Sequence, residues 1–202
     1  MTMPATHPFR PVTLAGRHVR LEPLAAAHHD GQVAAAQDGD LWDLWYTSVP
    51  EPGAMAGEIA RRLGLQEAGS MAPFTVFSEP DGRIAGMTTY MNIDAANRRV
   101  EIGSTWYARR VQRSGLNTEA KLLLLGHAFE TLDCIAVEFR THFLNQQSRR
   151  AIERLGARLD GILRCHQRAK DGTLRDTCVY SITAAEWPTI RAHLRWLLEK
   201  PR

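Results

Sequence analysis

Cysteine is scarce: Cys134, Cys165 and Cys178 are the only three in 202 residues. Their odd number and wide spacing fit neither a disulfide framework nor a structural zinc site, and no Cys-x-x-Cys pair occurs. A reducing compartment is the natural setting. No His-Glu-x-x-His or comparable ligand spacing occurs, so no metal is expected. Long apolar runs are missing as well. Leu122 to Leu125 is as long as any, far short of a membrane span, and Met1 to Arg10 has no apolar core of a leader. The expectation is a cytoplasmic protein with no membrane partner. Charge of one sign is not in excess: 25 Lys+Arg stand against 22 Asp+Glu, a formal +3. That balance permits an anionic ligand but does not by itself argue for nucleic acid.

What is present is an ordinary globular composition, 44% hydrophobic and 23% charged. A chain of this size buries roughly 70% of its unfolded surface and needs no staple. No linker or internal repeat divides it, so one domain over residues 1–202 is expected. Val12 to Leu24 reads as two short strand pieces around Ala15-Gly16, and Ala25 to Gln37 as a helix. Asp40 to Val49 is rich in aromatics. A second helix runs from Pro52 to about Ala68. Then the period changes. Phe74 to Phe77, Ile84 to Ile93 and Arg99 to Tyr107 form a three-strand antiparallel meander. Thr118 to Leu132 is the clearest helix, with Leu122, Leu125, Phe129 and Leu132 on one side. A strand follows at Ile135 to Thr141. Strand, helix, strand in that order implies one parallel pair inside an otherwise antiparallel sheet. A short helix from Gln146 to Leu155 closes at Gly156. Two strands follow, Ala157 to Gln167 and Leu174 to Ile182, joined by a turn at Lys170-Asp171-Gly172, and a last helix runs from Ala184 to Glu199. The fold class is therefore mixed α/β: a largely antiparallel sheet of six or seven strands with one parallel pair, flanked by four or five helices.

The stretch from Trp106 to Lys121 carries the chemical signal. It is a strand end, a basic turn with one glycine, then a helix start. The first turn of a helix offers unpaired N–H groups and the positive end of the dipole. Gly115 lets an anion approach the backbone, and Arg109, Arg110 and Arg113 add charge. Gln112, Arg113, Ser114, Gly115, Leu116, Asn117 and Thr118 thus make a candidate phosphate or pyrophosphate cradle. The bland alternative is a capped helix with solvated arginines. A P-loop would need Gly-x-x-x-x-Gly-Lys-Ser/Thr, and a dinucleotide fold Gly-x-Gly-x-x-Gly after the first strand of a mostly parallel sheet; neither is present.

Read as Gln112-Arg-Ser-Gly115-Leu-Asn117, the loop resembles the acetyl-CoA loop of the GCN5-related N-acetyltransferases (GNAT), Gln/Arg-x-x-Gly-x-Gly/Ala. Asn117 stands where the second small residue would be. The element order is similar over Val12 to Ile182. Asn145-Gln-Gln-Ser148-Arg-Arg-Ala-Ile-Glu-Arg-Leu-Gly156 and Arg175-Asp-Thr-Cys-Val-Tyr180 resemble the RimJ/RimL-like branch. The resemblance implies an acetyl-CoA-dependent N-acetyltransferase in which a primary amine, of a protein N-terminus or a small molecule, attacks the thioester directly. It implies a backbone N–H near Thr105, Trp106 and Tyr107 that polarises the thioester carbonyl, with the pantetheine arm in a gap between strands. It also implies Asn145 as a bond to that arm and Ser148 as proton donor to the leaving thiolate. Many relatives place a tyrosine where this chain has Ile152.

An alkylammonium must lose a proton before it can attack. Glu101 is the candidate base, since strand alternation points it away from its neighbours Val100 and Ile102; otherwise it is a solvent-facing glutamate. Ser148 could merely start a helix and Asn145 merely cap it. Relatives build the acceptor pocket from the first two helices and the final hairpin. Trp42, Trp45 and Tyr46 are therefore candidates for its wall, or else core aromatics. His142 and His166 lie near strand ends on the same side. Cys134 reads as core. Two other classes remain: a CoA-binding regulatory module without turnover, and a nucleic-acid binder using Arg109, Arg110, Arg113, Arg149 and Arg150. The second is disfavoured by the modest charge. A homodimer is possible.

Overall fold

The computed structural model describes residues 9–10, 12–43, 45, 49–169 and 171–200. In chain order the elements are β1 (Leu14–Ala15), β2 (Val19–Pro23), α1 (His29–Gln37), α2 (Met55–Glu67), β3 (Met71–Ser78), β4 (Arg83–Asp94), β5 (Arg99–Tyr107), α3 (Leu116–Gly126), β6 (Ala136–His142), α4 (Gln146–Glu153), β7 (Arg158–Arg168), β8 (Leu174–Thr183) and α5 (Trp187–Glu199). One eight-stranded sheet results, in the order β1-β2-β3-β4-β5-β6-β8-β7. The sheet has more strands than the six or seven expected. The two-residue β1 is the first of the two short pieces read around Ala15-Gly16, and it pairs with β2 through Leu14 and Leu21. Lys170 of the expected final turn lies outside the described residues.

Among the described residues only β5 and β6 run parallel, because α3 carries the chain back across the sheet between them. The helix starts at Leu116, two residues before the expected Thr118, and after Gly126 it widens into a π turn over His127–Thr131. Its sheet-facing stripe is Leu116, Ala120, Leu124 and Ala128, at i, i+4 spacing. Leu122, Phe129 and Leu132 are only partly buried at the edge of that core. Ile135 precedes β6 and is exposed, whereas Val137 and Phe139 are buried.

Two apolar cores lie on opposite faces of the sheet. The larger holds α3 and α5 against Phe74, Val100, Ile102, Val137, Phe139, Tyr180 and Ile182. The smaller packs α1 and α2 against Met87 and Trp106. Along β5 the faces switch once. Val100 and Ile102 face α3, so the alternation would send Trp106 there too. Ser104 instead takes a left-handed backbone (φ 47°). The register against β4 shifts at the same place, with Gly103 opposite Thr89 but Trp106 opposite Met87. One extra residue flips everything after it: Trp106 joins the α1/α2 core and Tyr107 the α3 core. Gly86, opposite Tyr107 at φ +143°, admits this close approach, since a Cβ there would collide with Trp106 O.

Candidate active site

The parallel strands part company early. β5 and β6 pair only at Arg99, Glu101 and the residue between them, against Ala136 to Glu138. From Ile102 onward β5 turns toward β4 alone, and a wedge opens between the two parallel strands. A cleft of about 1310 Å³ fills it, reaching from α2 and the end of β5 to α3, α4 and the β7–β8 hairpin.

At one end of the cleft lies the start of α3. Its amides are only partly used. Gln112 N–H donates to Arg109 O (3.1 Å), and Leu116 N–H donates to Ser114 Oγ (3.2 Å). The N–H groups of Asn117 and Thr118 have no acceptor among the described residues, as the first turn of a helix requires. Gln112, Arg113, Ser114, Asn117 and Thr118 line the cleft. Gly115 and Leu116 do not, and the Leu116 side chain is buried in the α3 core. The left-handed residue of the loop is Arg113 (φ 59°), while Gly115 is right-handed (φ −72°). Arg154 of the α4 end reaches over and donates to Thr118 Oγ1 (2.9 Å), adding a cation to this end.

Where β5 leaves β6, Thr105, Trp106 and Tyr107 all line the cleft. Trp106 Nε1 and Tyr107 Oη are buried with no hydrogen-bond partner. Orphaned buried donors are rare in folded proteins and point to an absent ligand or water. Burial holds the Tyr107 hydroxyl in its protonated, donating form by pushing its pKa up.

Lys121 is the residue that sequence reasoning missed. It lies one turn after Asn117, within the cleft and 6% exposed. No carboxylate pairs with it among the described residues. Its Nζ donates to Thr105 Oγ1 (3.2 Å) and Thr88 Oγ1 (3.4 Å), which are themselves 2.7 Å apart. Burial without a counter-ion pulls its pKa down to about 7. The signal was available as the i, i+4 spacing of Asn117 and Lys121, which stacks the lysine directly under the cradle. Arg62 was missed as well. It is buried on α2, neutralised by Glu58 (2.7 Å), and donates to Thr89 Oγ1 (2.7 Å), tying α2 to β4 beside the bulge.

Glu101 faces the cleft from β5 and is buried, so the solvent-facing alternative does not hold. Asn92 Nδ2 donates to its Oε2 (2.6 Å), and Arg140 Nε stands 3.5 Å from the same oxygen. Burial pushes its pKa up; Asn92, Arg140 and Arg175 oppose that rise. His142 and His166 line the same end, and His166 Nδ1 is 3.1 Å from Thr177 Oγ1.

On α4, Asn145 Oδ1 accepts the Ser148 N–H (3.0 Å), so Asn145 does cap the helix. Its Nδ2 and the Ser148 hydroxyl have no partner among the described residues, and both residues line the cleft. Ile152 lines it too. Of the aromatic candidates, Trp42 packs against the α1/α2 core and is not part of the cleft wall. Trp45 is 58% exposed and sets its edge on His142 at 5.1 Å. Tyr46 lies outside the described residues. Cys134 is buried in the core and its thiol pKa is pushed up to about 11, which makes it inert.

The described residues contain no group of His, Cys, Asp and Glu side chains suited to hold a metal. No helix among them is long and apolar enough to cross a membrane. The arrangement suits a long, anionic, largely linear ligand. It offers helix amides without acceptors at one end, buried donors along the strand gap, and a buried carboxylate at the other end.

Comparison with known proteins agrees with this geometry. The family model described as "Acetyltransferase (GNAT) domain" matches residues 18–158. A crystal structure of a GCN5-related N-acetyltransferase from Brucella melitensis is 34% identical, with a TM-score of 0.80, covering 93% of this chain and 86% of that one. The Bacillus subtilis (strain 168) protein named "Putative ribosomal N-acetyltransferase YdaF" is 33% identical over 112 residues, 53% of this chain; the match spans 57% of that protein's own length. The fold is also that of Mycobacterium smegmatis RimJ in complex with CoA-disulfide, with a TM-score of 0.79 at 23% identity over 94% of this chain and 96% of that one. With its sheet and strand wedge in place and the family model matching residues 18–158, the chain belongs to the GNAT family of acetyltransferases.

Proposed function

We propose that this acetyltransferase takes its acetyl group from acetyl-CoA and delivers it to a primary amine that attacks the thioester directly. One observation carries the reading. The wedge between β5 and β6 runs from the open amides of α3 to Glu101 and is lined by buried polar atoms that lack partners. Acetyl-CoA would supply an activated thioester and an anionic nucleotide end. Asn117 and Thr118 N–H groups, with Arg113 and Arg154, would hold the phosphates. The orphaned Trp106 and Tyr107 donors and Asn145 Nδ2 would take polar groups of the arm. A backbone N–H near Thr105 to Tyr107 would face the negative charge that grows on the carbonyl oxygen, with Lys121 beneath it. Glu101 takes the proton of the ammonium, directly or through water. As the N–C bond forms, the C–S bond breaks, and the sulfur receives a proton by way of the Ser148 hydroxyl. The name of the Bacillus subtilis relative suggests a ribosomal acceptor as one class.

The test is isothermal titration of the pure protein with acetyl-CoA, desulfo-CoA and ATP, followed by thiol release with amines. Micromolar binding of both CoA compounds with little binding of ATP is the expected result. Absence of CoA binding would reduce the cradle to a capped helix start and end the reading. A CoA-binding module without turnover would bind but release no thiol with any amine.

A further inference from the structure

The amine-handling end of the cleft carries more positive charge than amine transfer requires. Cys178, Tyr180 and Ile182 of β8 face the α3 core, so Arg175 alternates onto the opposite face. The same alternation puts Arg140 of β6 and Glu101 of β5 on that face, and all three line the cleft. Arg140 is already held, by Glu138 (3.2 Å) and Glu101 (3.5 Å). Arg175 is not. It is half-buried, and its guanidinium forms no ion pair or hydrogen bond among the described residues. Its Nε is enclosed without an acceptor. Burial draws its pKa down, and only the nearby charge of Glu101 works against this. A partly desolvated cation without a partner is costly, and such groups are retained where an anion will arrive.

The phosphates of the cosubstrate are not that anion. Their cradle is at the start of α3, with Arg154 beside it on Thr118. The anion must therefore come with the acceptor. Glu101 on β5 and Arg175 on β8 flank β6 and line the same cleft, one anionic and one cationic. The complement of that pair is a molecule with an ammonium and a carboxylate close together. An acceptor such as a polyamine would instead bring a second cation toward Arg175 and Arg140.

We propose that the acceptor is a zwitterion, a primary amine with a nearby carboxylate, its ammonium at Glu101 and its carboxylate at Arg175. The proposal rests on the N-acetyltransferase reading above. The carboxylate has two possible sources: the α-carboxylate of a free amino acid, or the acidic side chain of a peptide's first residue.

The experiment is thiol release from acetyl-CoA with paired acceptors. Each free amino acid is set against its own primary amide. Tripeptides beginning with Asp or Glu are set against those beginning with Asn or Gln. Spermidine and tryptamine represent amines without a carboxylate. The best acceptor is expected to be a carboxylate-bearing member of a pair, with kcat/KM ~30-fold above its amide, the size of one charge-assisted hydrogen bond. Which set it comes from identifies the source. Arg175→Met is expected to bring that ratio close to 1, mainly through KM, while acetyl-CoA titration stays unchanged; Arg175→Lys is expected to restore part of it. Unaltered acetyl-CoA binding shows that each variant is folded. Equal rates for acid and amide, a preference that survives Arg175→Met, or turnover confined to spermidine and tryptamine would overturn the zwitterion and leave the transferase intact. Acetyl-CoA binding without thiol release from any acceptor would overturn both.

Discussion

Glu101 shows how one strand position becomes a candidate base. Two apolar neighbours fix its face, and the parting of β5 from β6 leaves that face on a cleft instead of in solvent. Burial then raises its pKa, with Asn92 and the two arginines limiting the rise. A base raised above the ordinary glutamate value is protonated, and idle, at a higher pH than an exposed glutamate would be. Activity is therefore expected to fall on the acid side at a higher pH than an exposed glutamate would give. Glu101→Gln should lower kcat by about 100-fold or more, remove that acid limb and leave acetyl-CoA affinity unchanged. A pH profile of kcat/KM for both proteins decides it, and an unchanged rate takes Glu101 out of the mechanism. Lys121 makes a statement about stability. Its pKa is about 7 in the fold against 10.5 for an ordinary lysine. Between those values the unfolded chain holds the proton and the folded chain does not, so stability rises with pH across that window. Below pH 7 both states are protonated and the penalty is constant. Lys121→Met should accordingly be more stable than the parent at pH 7, by about 1–3 kcal/mol, with the gap closing toward pH 10. Urea unfolding at the two pH values measures this. A less stable variant at pH 7 would mean that the bonds to Thr88 and Thr105 outweigh the burial of charge.

Among the elements, α3 is the one on which the site turns, and a single carboxylate fixes it to the start of the sheet. Glu119 accepts from the backbone N–H groups of Arg17 (3.0 Å), His18 (2.5 Å) and Val19 (3.0 Å). Glu119→Ala strands two donors in the turn between β1 and β2 and a third at the first residue of β2. It should cost about 2–4 kcal/mol in chemical denaturation, since an unmade bond costs more than a made one contributes. A loss under 1 kcal/mol would show that water replaces the carboxylate. Most elements could be read from the sequence because their signals are local. The meander shows alternation with turn residues between strands, and α4 shows Asn145 at its start and Gly156 beyond its end. The parallel pair followed from strand–helix–strand order alone. The bulge could not be read. Ser104 adopts a left-handed backbone without the glycine or asparagine that usually announces one, and only Gly86, a strand away, accommodates it. Within the cleft, the α3 start and Glu101 stood out in the sequence because loop and strand place them locally. Lys121 was passed over because a lysine beside leucines reads as a solvated face. Arg175 gains meaning only when β8 lies next to β6, a tertiary fact that no window of sequence contains.

At the scale of the whole molecule, the cleft is an unpaired seam through the middle of an eight-stranded sheet. Two strands that should be hydrogen-bonded are apart beyond Glu101, and helices from both faces converge on the gap. A ligand that fills the seam binds only the folded chain, so it must stabilise the whole domain. At one hundred times its dissociation constant, acetyl-CoA should add about 2.7 kcal/mol. For a domain of this size that corresponds to a rise in Tm of roughly 5–10 °C. Desulfo-CoA should do nearly the same, because the phosphate cradle and the strand donors do not involve the sulfur. Gly115→Glu places a carboxylate at the buried start of α3, beside the amides of Asn117 and Thr118, which have no acceptor among the described residues. That variant should melt cooperatively and gain no Tm from either compound, since its own carboxylate repels the phosphates and competes for the N–H groups. A full ligand shift in Gly115→Glu would place the cosubstrate's anionic end elsewhere along the seam. The basic residues there would then have to be reassigned, Arg175 among them.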